Sequence, residues 1–161
     1  MTLPVATESQ LQVQIAQYLC TKHPGVEFHS DFGSGAVLSA RQAAIQLRQN
    51  GYRRGYPDLL VAVPKIKRVR VAENAFQEIL VGGLFLELKR EKAKLYKKNG
   101  AFASRHIAEQ ADFLQRLRSW GYVAEFAVGY DDAVEKIEKY LGLDGANLGL
   151  PQEFVEEGVR L

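Results

Sequence analysis

Apolar residues return at intervals of three and four along the first part of the chain: Leu11, Ile15, Tyr18 and Leu19. That period puts them on one face of a helix running from Thr7 to about Lys22. Thr7, with Gln10 three residues on, has the capping-box pattern at its start. His23-Pro24-Gly25 ends it. Residues 26–30 alternate polar and apolar, which predicts a short strand. Gly33-Ser34-Gly35 predicts a loop. Ser39 is placed to cap a second helix reaching about Gln49, stopped by Asn50-Gly51.

A basic, Gly-punctuated loop over 51–57 runs into 58–63, apolar on both faces and therefore predicted to be a central strand. Residues 65–71 fit an edge strand and 73–80 a short helix. Residues 83–89 predict the next strand, followed by a flexible, lysine-rich loop over 90–103. Ser104 caps a helix through Trp120, with Gly121 as its C-terminal stop and Trp120 packed beneath the sheet. Residues 122–128 form a strand, and 131–141 a closing amphipathic helix with Val134, Ile137 and Leu141 inward. The sum is an α/β domain with helices against a mixed sheet.

Composition narrows the class. The 161 residues are 47% hydrophobic and 25% charged, enough for one domain with its own core. No apolar run approaches the roughly 20 residues needed to cross a bilayer. Residues 1–4 lack the basic region of a signal peptide. The expectation is a soluble, cytoplasmic protein. A single cysteine, Cys20, excludes an intrachain disulfide and a multi-cysteine zinc site. It is expected as core or boundary filler on the first helix. The net charge of +2 hides an asymmetry. Residues 41–105 hold 15 Lys/Arg against 5 Asp/Glu, whereas the rest holds 6 against 14. A basic middle points to a polyanionic partner on one face.

Five polar intrusions remain. In the strand over 83–89, period two puts Leu84, Leu86 and Leu88 on one face and Phe85, Glu87 and Lys89 on the other. Asp58 opens the preceding strand, directly after Pro57. Glu8 lies three before Leu11 and seven before Ile15, so it extends an apolar stripe. Gln110 interrupts the stripe of Ile107, Leu114 and Leu117. Burying unpaired charge costs several kcal/mol. A salt bridge at partly solvated strand ends is one reason for Asp58, Glu87 and Lys89. A divalent metal is another. Two carboxylates on neighbouring strands, with a backbone carbonyl between them, are hard oxygen donors suited to Mg²⁺.

The order Glu8 on a helix, Gly55-Tyr56-Pro57-Asp58, Glu87-Leu88-Lys89 and Gln110 on a later helix resembles the PD-(D/E)xK nuclease superfamily. In detail it is similar to the virus-type replication-repair nuclease (VRR-NUC) branch, over about residues 7–141. The resemblance implies a restriction-endonuclease-like αβββαβ core spanning 1–141. Residues 64–82 would be an insertion between the two metal-ligand strands, and 142–161 an acidic, Gly-containing tail. It further implies Asp58, Glu87 and the Leu88 carbonyl as ligands of Mg²⁺ or Mn²⁺, with Glu8 reaching the ion, through water or directly. Lys89 would position the attacking water, and Gln110 would hold the metal shell or the lysine.

The basic middle then assigns Arg53 and Arg54, beside the entry to Asp58, and Lys92, Lys94, Lys97 and Lys98, just past Lys89, to DNA phosphates. The expected function is Mg²⁺-dependent, structure-selective DNA endonuclease activity on branched DNA such as four-way (Holliday) junctions, by a homodimer from a phage or bacterium. Residues 64–82 are the candidate dimer contact or DNA-facing wing. The competing classes are a restriction-type or single-strand nuclease on the same fold and a non-catalytic nucleic-acid-binding module. Carboxylates beside phosphates repel DNA unless a cation lies between them, which disfavours the last.

Overall fold

The computed structural model describes residues 6–30, 39–49 and 55–145. The loop expected at 33–35, the helix stop at 50–51 and most of the tail lie outside them.

Helix α1 (Glu8–Lys22) starts at the expected capping box. The Gln10 amide donates to Thr7 Oγ1 at 3.2 Å, and the Thr7 amide donates to Gln10 Oε1 at 2.9 Å. Strand β1 (Phe28–Ser30) follows. Ser39 caps helix α2 (Ala40–Gln49) in the same reciprocal way with Gln42. Then come β2 (Leu59–Val61), β3 (Lys65–Ala72), β4 (Ala75–Val81) and β5 (Leu84–Lys89). Helix α3 (Arg105–Ser119), β6 (Val123–Val128), α4 (Tyr130–Leu141) and β7 (Asp144–Gly145) close the described chain.

The main sheet has the order β1-β2-β5-β6. Its first two pairings are antiparallel, and β5 and β6 run parallel. All six residues of β5 are buried, because helices cover both faces. On one face Leu11, Ile15 and Leu19 of α1 and Ala133, Ile137 and Tyr140 of α4 pack on Leu59, Val61, Leu84, Leu86 and Leu88. On the other, Phe113, Leu114 and Leu117 of α3 pack on Phe85 and Ala124. The expected division of the β5 side chains between two faces is what the structure has.

The insertion departs from expectation. Residues 75–81 form a strand, not a helix. It pairs antiparallel with β3 across a two-residue turn at Glu73-Asn74, from Lys65↔Val81 to Ala72↔Ala75. Val81 enters the core and Ile79 packs against it, so the strand's period of two is anchored at its base. β7 adds a third strand on the far edge of β3. Lys65 Nζ donates to the carbonyls of Leu141 and Leu143 at 2.8 and 3.1 Å. The chain therefore stays with the fold through Gly145, past the boundary expected at 141.

Gly83 explains how the hairpin turns into β5. A Cβ there would sit 2.9 Å from the Val61 carbonyl oxygen, too close for any other residue. Two smaller expectations fail. Trp120 is 62% exposed rather than packed beneath the sheet. It is the C-cap of α3, held by its backbone N–H, with the ring turned outward. Cys20 is exposed too, because the buried face of α1 passes through its neighbour Leu19.

Candidate metal centre at the strand ends

The site grows out of one register. Leu59 faces Leu86 across the antiparallel β2–β5 pair. One step further along, Asp58 faces Glu87, on the Phe85 side of the sheet. Directly opposed side chains have Cβ atoms roughly 4.5–5.5 Å apart, and like charges so placed repel. Asp58 is 6% exposed and Glu87 2%, so the fold sets two carboxylates side by side out of water.

Their partners come from three elements. Gln12 of α1 donates from Nε2 to Asp58 Oδ1 at 2.9 Å, and the Leu88 N–H donates to Asp58 Oδ2 at 2.8 Å. Lys89, itself buried, donates from Nζ to Glu87 Oε1 at 2.8 Å, and Gln110 of α3 donates from Nε2 to the same oxygen. Glu8, at the first turn of α1, lies with Oε1 3.8 Å from Lys89 Nζ. The structure thus brings Glu8, Asp58, Glu87, Lys89 and Gln110 together. Sequence reasoning missed Gln12. Its signal was position: one helical turn after Glu8, on a face that continues to Ile15.

Local structure holds this arrangement. Gly55, at φ +79°, lies against the backbone of Gln110, where a Cβ would be 3.5 Å from its Cα. Tyr56 is edge-on to Phe85 and Phe113, with ring centroids 5.8 and 5.5 Å away. The Pro57-Asp58 turn is thereby fixed between β5 and α3. On the other side of β5, the Lys89 carbonyl accepts from the Gly129 N–H at 2.8 Å. Successive peptide groups of a strand point to opposite edges, so the Leu88 carbonyl points toward β2. The residue in register there is Pro57, which has no N–H to give.

These groups fit a divalent cation. Among the described residues, the buried side-chain polar atoms without a hydrogen-bond partner are Glu87 Oε2 and Gln110 Oε1. Both are acceptors, and acceptors left over beside crowded carboxylates are what a cation satisfies. Burial, and then the charge of Asp58, push the Glu87 carboxyl up to about 8, against the opposing pull of Lys89. No group of three or more His, Cys, Asp or Glu side chains gathers as a metal cage among the described residues. A cation here would meet two acids and a carbonyl, with Glu8 at the rim, a sparse set that suits an ion that keeps several waters.

Arg53 and Arg54 lie outside the described residues. Lys92, Lys94, Lys97 and Lys98 are all exposed. They do not sit on a formless loop. Tyr96 and Phe102 form an antiparallel bridge, and the segment between them closes through Lys97 N–H to the Ala101 carbonyl at 2.7 Å.

No family model and no curated protein matches the sequence. Among solved structures the chain is similar to one described as a VRR_NUC domain protein, at 20% identity and a TM-score of 0.57. The likeness covers 89% of this chain and 94% of that one. The fold is therefore that of a VRR-NUC domain, a mixed sheet flanked by three helices. No helix among the described residues is long and apolar enough to cross a membrane.

Proposed function

We propose that this chain is a Mg²⁺- or Mn²⁺-dependent endodeoxyribonuclease that selects branched DNA, such as four-way junctions, by shape. The observation that carries the assignment is the pair Asp58 and Glu87, buried side by side with the Glu87 Oε2 acceptor unspent. Asp58, Glu87 and the Leu88 carbonyl would hold the ion, with Glu8 reaching it through water. When bound, such an ion offsets charge on the scissile phosphate and acidifies water beside it.

The chain's own groups do the rest. Lys89 lies between Glu87 and Glu8. Once a cation shares Glu87, the Lys89 ammonium is available to orient the attacking water and to oppose charge on the phosphate. Gln110 keeps Glu87 in its rotamer, and Gln12 does the same for Asp58. The water oxygen bonds to phosphorus and its proton leaves to solvent. The P–O3′ bond breaks and the leaving O3′ takes a proton from solvent, giving 5′-phosphate and 3′-hydroxyl ends. Arg53, Arg54, Lys92, Lys94, Lys97 and Lys98 would hold flanking phosphates, which gives affinity without base specificity.

We further assign the β3–β4 hairpin to pairing with a second copy, so that two strands are cut by one homodimer. Its outer face presents Phe76, 66% exposed, and Leu80, beside the Arg68–Glu78 pair. We place the activity in the cytoplasm of a bacterium or phage-infected cell. The test is a panel of four-way junction, flap, nicked, single-stranded and linear duplex DNA with Mg²⁺, on protein of molar mass measured by light scattering. Faster cutting of the junction by a species of twice the chain mass is expected. Equal rates on junction and linear duplex overturn the shape selection, and cutting in excess chelator overturns the metal.

A further inference from the structure

Tyr96 has no part in the site described above, yet it stands in an unusual position. It is 55% exposed. Its ring stacks on Phe102 with centroids 5.3 Å apart and planes inclined by 27°. Phe102 therefore covers one face of the tyrosine, and the exposure falls to the rest of the ring. The backbone beneath is tied by the Tyr96–Phe102 bridge, by Lys97 N–H to Ala101 O and by Ala103 N–H to Leu95 O at 2.9 Å. A large aromatic ring is backed on one side by Phe102 and leaves more than half of its surface to solvent.

Its surroundings and its anchorage say what would cover it. Lys94, Lys97 and Lys98 on the same ribbon are exposed. An exposed planar ring on a ribbon with exposed lysines two before it and one and two after it in sequence suits a ligand with a flat apolar face and a negative backbone. That describes an unpaired nucleotide, whose base stacks while its phosphates meet the lysines. Stacked duplex base pairs offer no such face. The ribbon leaves β5 immediately after Lys89 and ends at Ser104, the N-cap of the helix that carries Gln110. One end thus continues the strand that carries Glu87 and Lys89, and the other starts the helix that carries Gln110.

We propose that Tyr96, backed by Phe102, is a stacking platform for an unpaired base of the DNA strand that enters the metal centre; this rests on the nuclease assignment. The platform makes the substrate a DNA with at least one unpaired nucleotide next to the cut, as at a branch point, flap or overhang. Stacking of this kind is sequence-tolerant, because every base has a flat face.

The experiment compares fluorescently labelled oligothymidine with an abasic strand of the same length, binding measured by anisotropy in chelator so that nothing is cut. The wild-type chain should bind the base-bearing strand roughly fivefold or more tightly than the abasic one. Tyr96→Ala should lower affinity for oligothymidine to the abasic level, and Tyr96→Phe, which keeps the ring, should restore it. Equal affinity of the wild type for the two strands overturns the platform. So does an equal loss on both strands in Tyr96→Ala, which would make Tyr96 a scaffold of the ribbon. Should Tyr96→Ala fail to fold, the wild-type comparison and Tyr96→Phe still decide. Mg²⁺-dependent cleavage by the wild type is scored separately. Base-dependent binding without cleavage retains the platform and discards the nuclease, and the reverse result does the opposite.

Discussion

Helix α1 is fastened at both ends, and the two fastenings differ in kind. Near its start, Gln12 reaches Asp58 in a buried cluster that leaves Glu87 Oε2 and Gln110 Oε1 unpartnered, with Glu8, 43% exposed, meeting Lys89 at the rim. Near its end, Tyr18 and His23 both meet Glu138 Oε1 of α4, the histidine at 2.5 Å. Glu138 keeps 46% of its side chain exposed, so water serves whatever the protein does not. The second arrangement is complete and solvated, as a structural pin is. The first is dry and has acceptors to spare, which costs stability unless something else arrives. Surplus acceptors under burial, not the mere presence of charge, distinguish the candidate site from the pin.

The largest effect should come from the dry end. Glu87→Gln or Asp58→Asn keeps the side-chain volume but removes an anionic donor. Cleavage of any substrate the wild type cuts should fall on the order of a thousandfold or more. Binding of the same DNA in chelator should persist, since the proposed phosphate contacts are those of the lysines. Cleavage within tenfold of wild type in both variants would move the chemistry away from these strand ends.

A smaller effect sharpens the contrast without any DNA. A cation that binds only the folded chain stabilises it by mass action. At about ten times its dissociation constant the gain is about 1.4 kcal/mol, or roughly 3–6 °C in melting temperature for a chain of this size. Mg²⁺ should produce that shift in the wild type and in Glu138→Gln. It should produce none in Glu87→Gln. An equal shift in all three would mean the ion binds elsewhere.

Much of this was legible before any coordinates. Caps at Thr7, Ser39 and Ser104 marked helix starts because side-chain oxygens there satisfy amides that no helix turn can reach. The alternation of Leu84, Phe85, Leu86 and Glu87 assigned β5 to two faces, since the period of a strand leaves no other choice. Asp58, Glu87, Lys89 and Gln110 stood out as polar groups in apolar positions. What failed was set by contacts that no local periodicity announces. Residues 73–80 are rich in Ala, Gln, Glu and Leu, good helix formers. Pairing with β3 and burial of Val81 overrode that preference. Gln12 was invisible because an isolated glutamine on a helix is unremarkable until Asp58, 46 residues away, is placed beside it. The order within 90–103 depends on Tyr96 meeting Phe102, a pairing that no local period announces.

The smallest effect belongs to the solvated end, and it tests whether Glu138 is only a pin. The hydrogen bond from Tyr18 and then that from His23 hold the Glu138 carboxyl below its usual range, despite some desolvation. A carboxylate with a depressed folded-state pKa contributes stability above its unfolded value of 4.5, and loses it as pH falls through the lower folded value. Glu138→Gln should therefore melt below the wild type at neutral pH, by no more than about 1 kcal/mol for an exposed pair. The two curves should converge as the pH drops below 4.5. At the alkaline end, the bond to Glu138 pushes the Tyr18 hydroxyl up to about 12. Its share should survive past pH 10, where a free tyrosine ionises, and fade toward 12. Cleavage per folded molecule should not change in Glu138→Gln. A pH-independent melting difference would show that the carboxylate charge has no part in the pin. A loss of cleavage at full stability would show that the two ends of α1 are not separable, and the contrast drawn from their burial would fall.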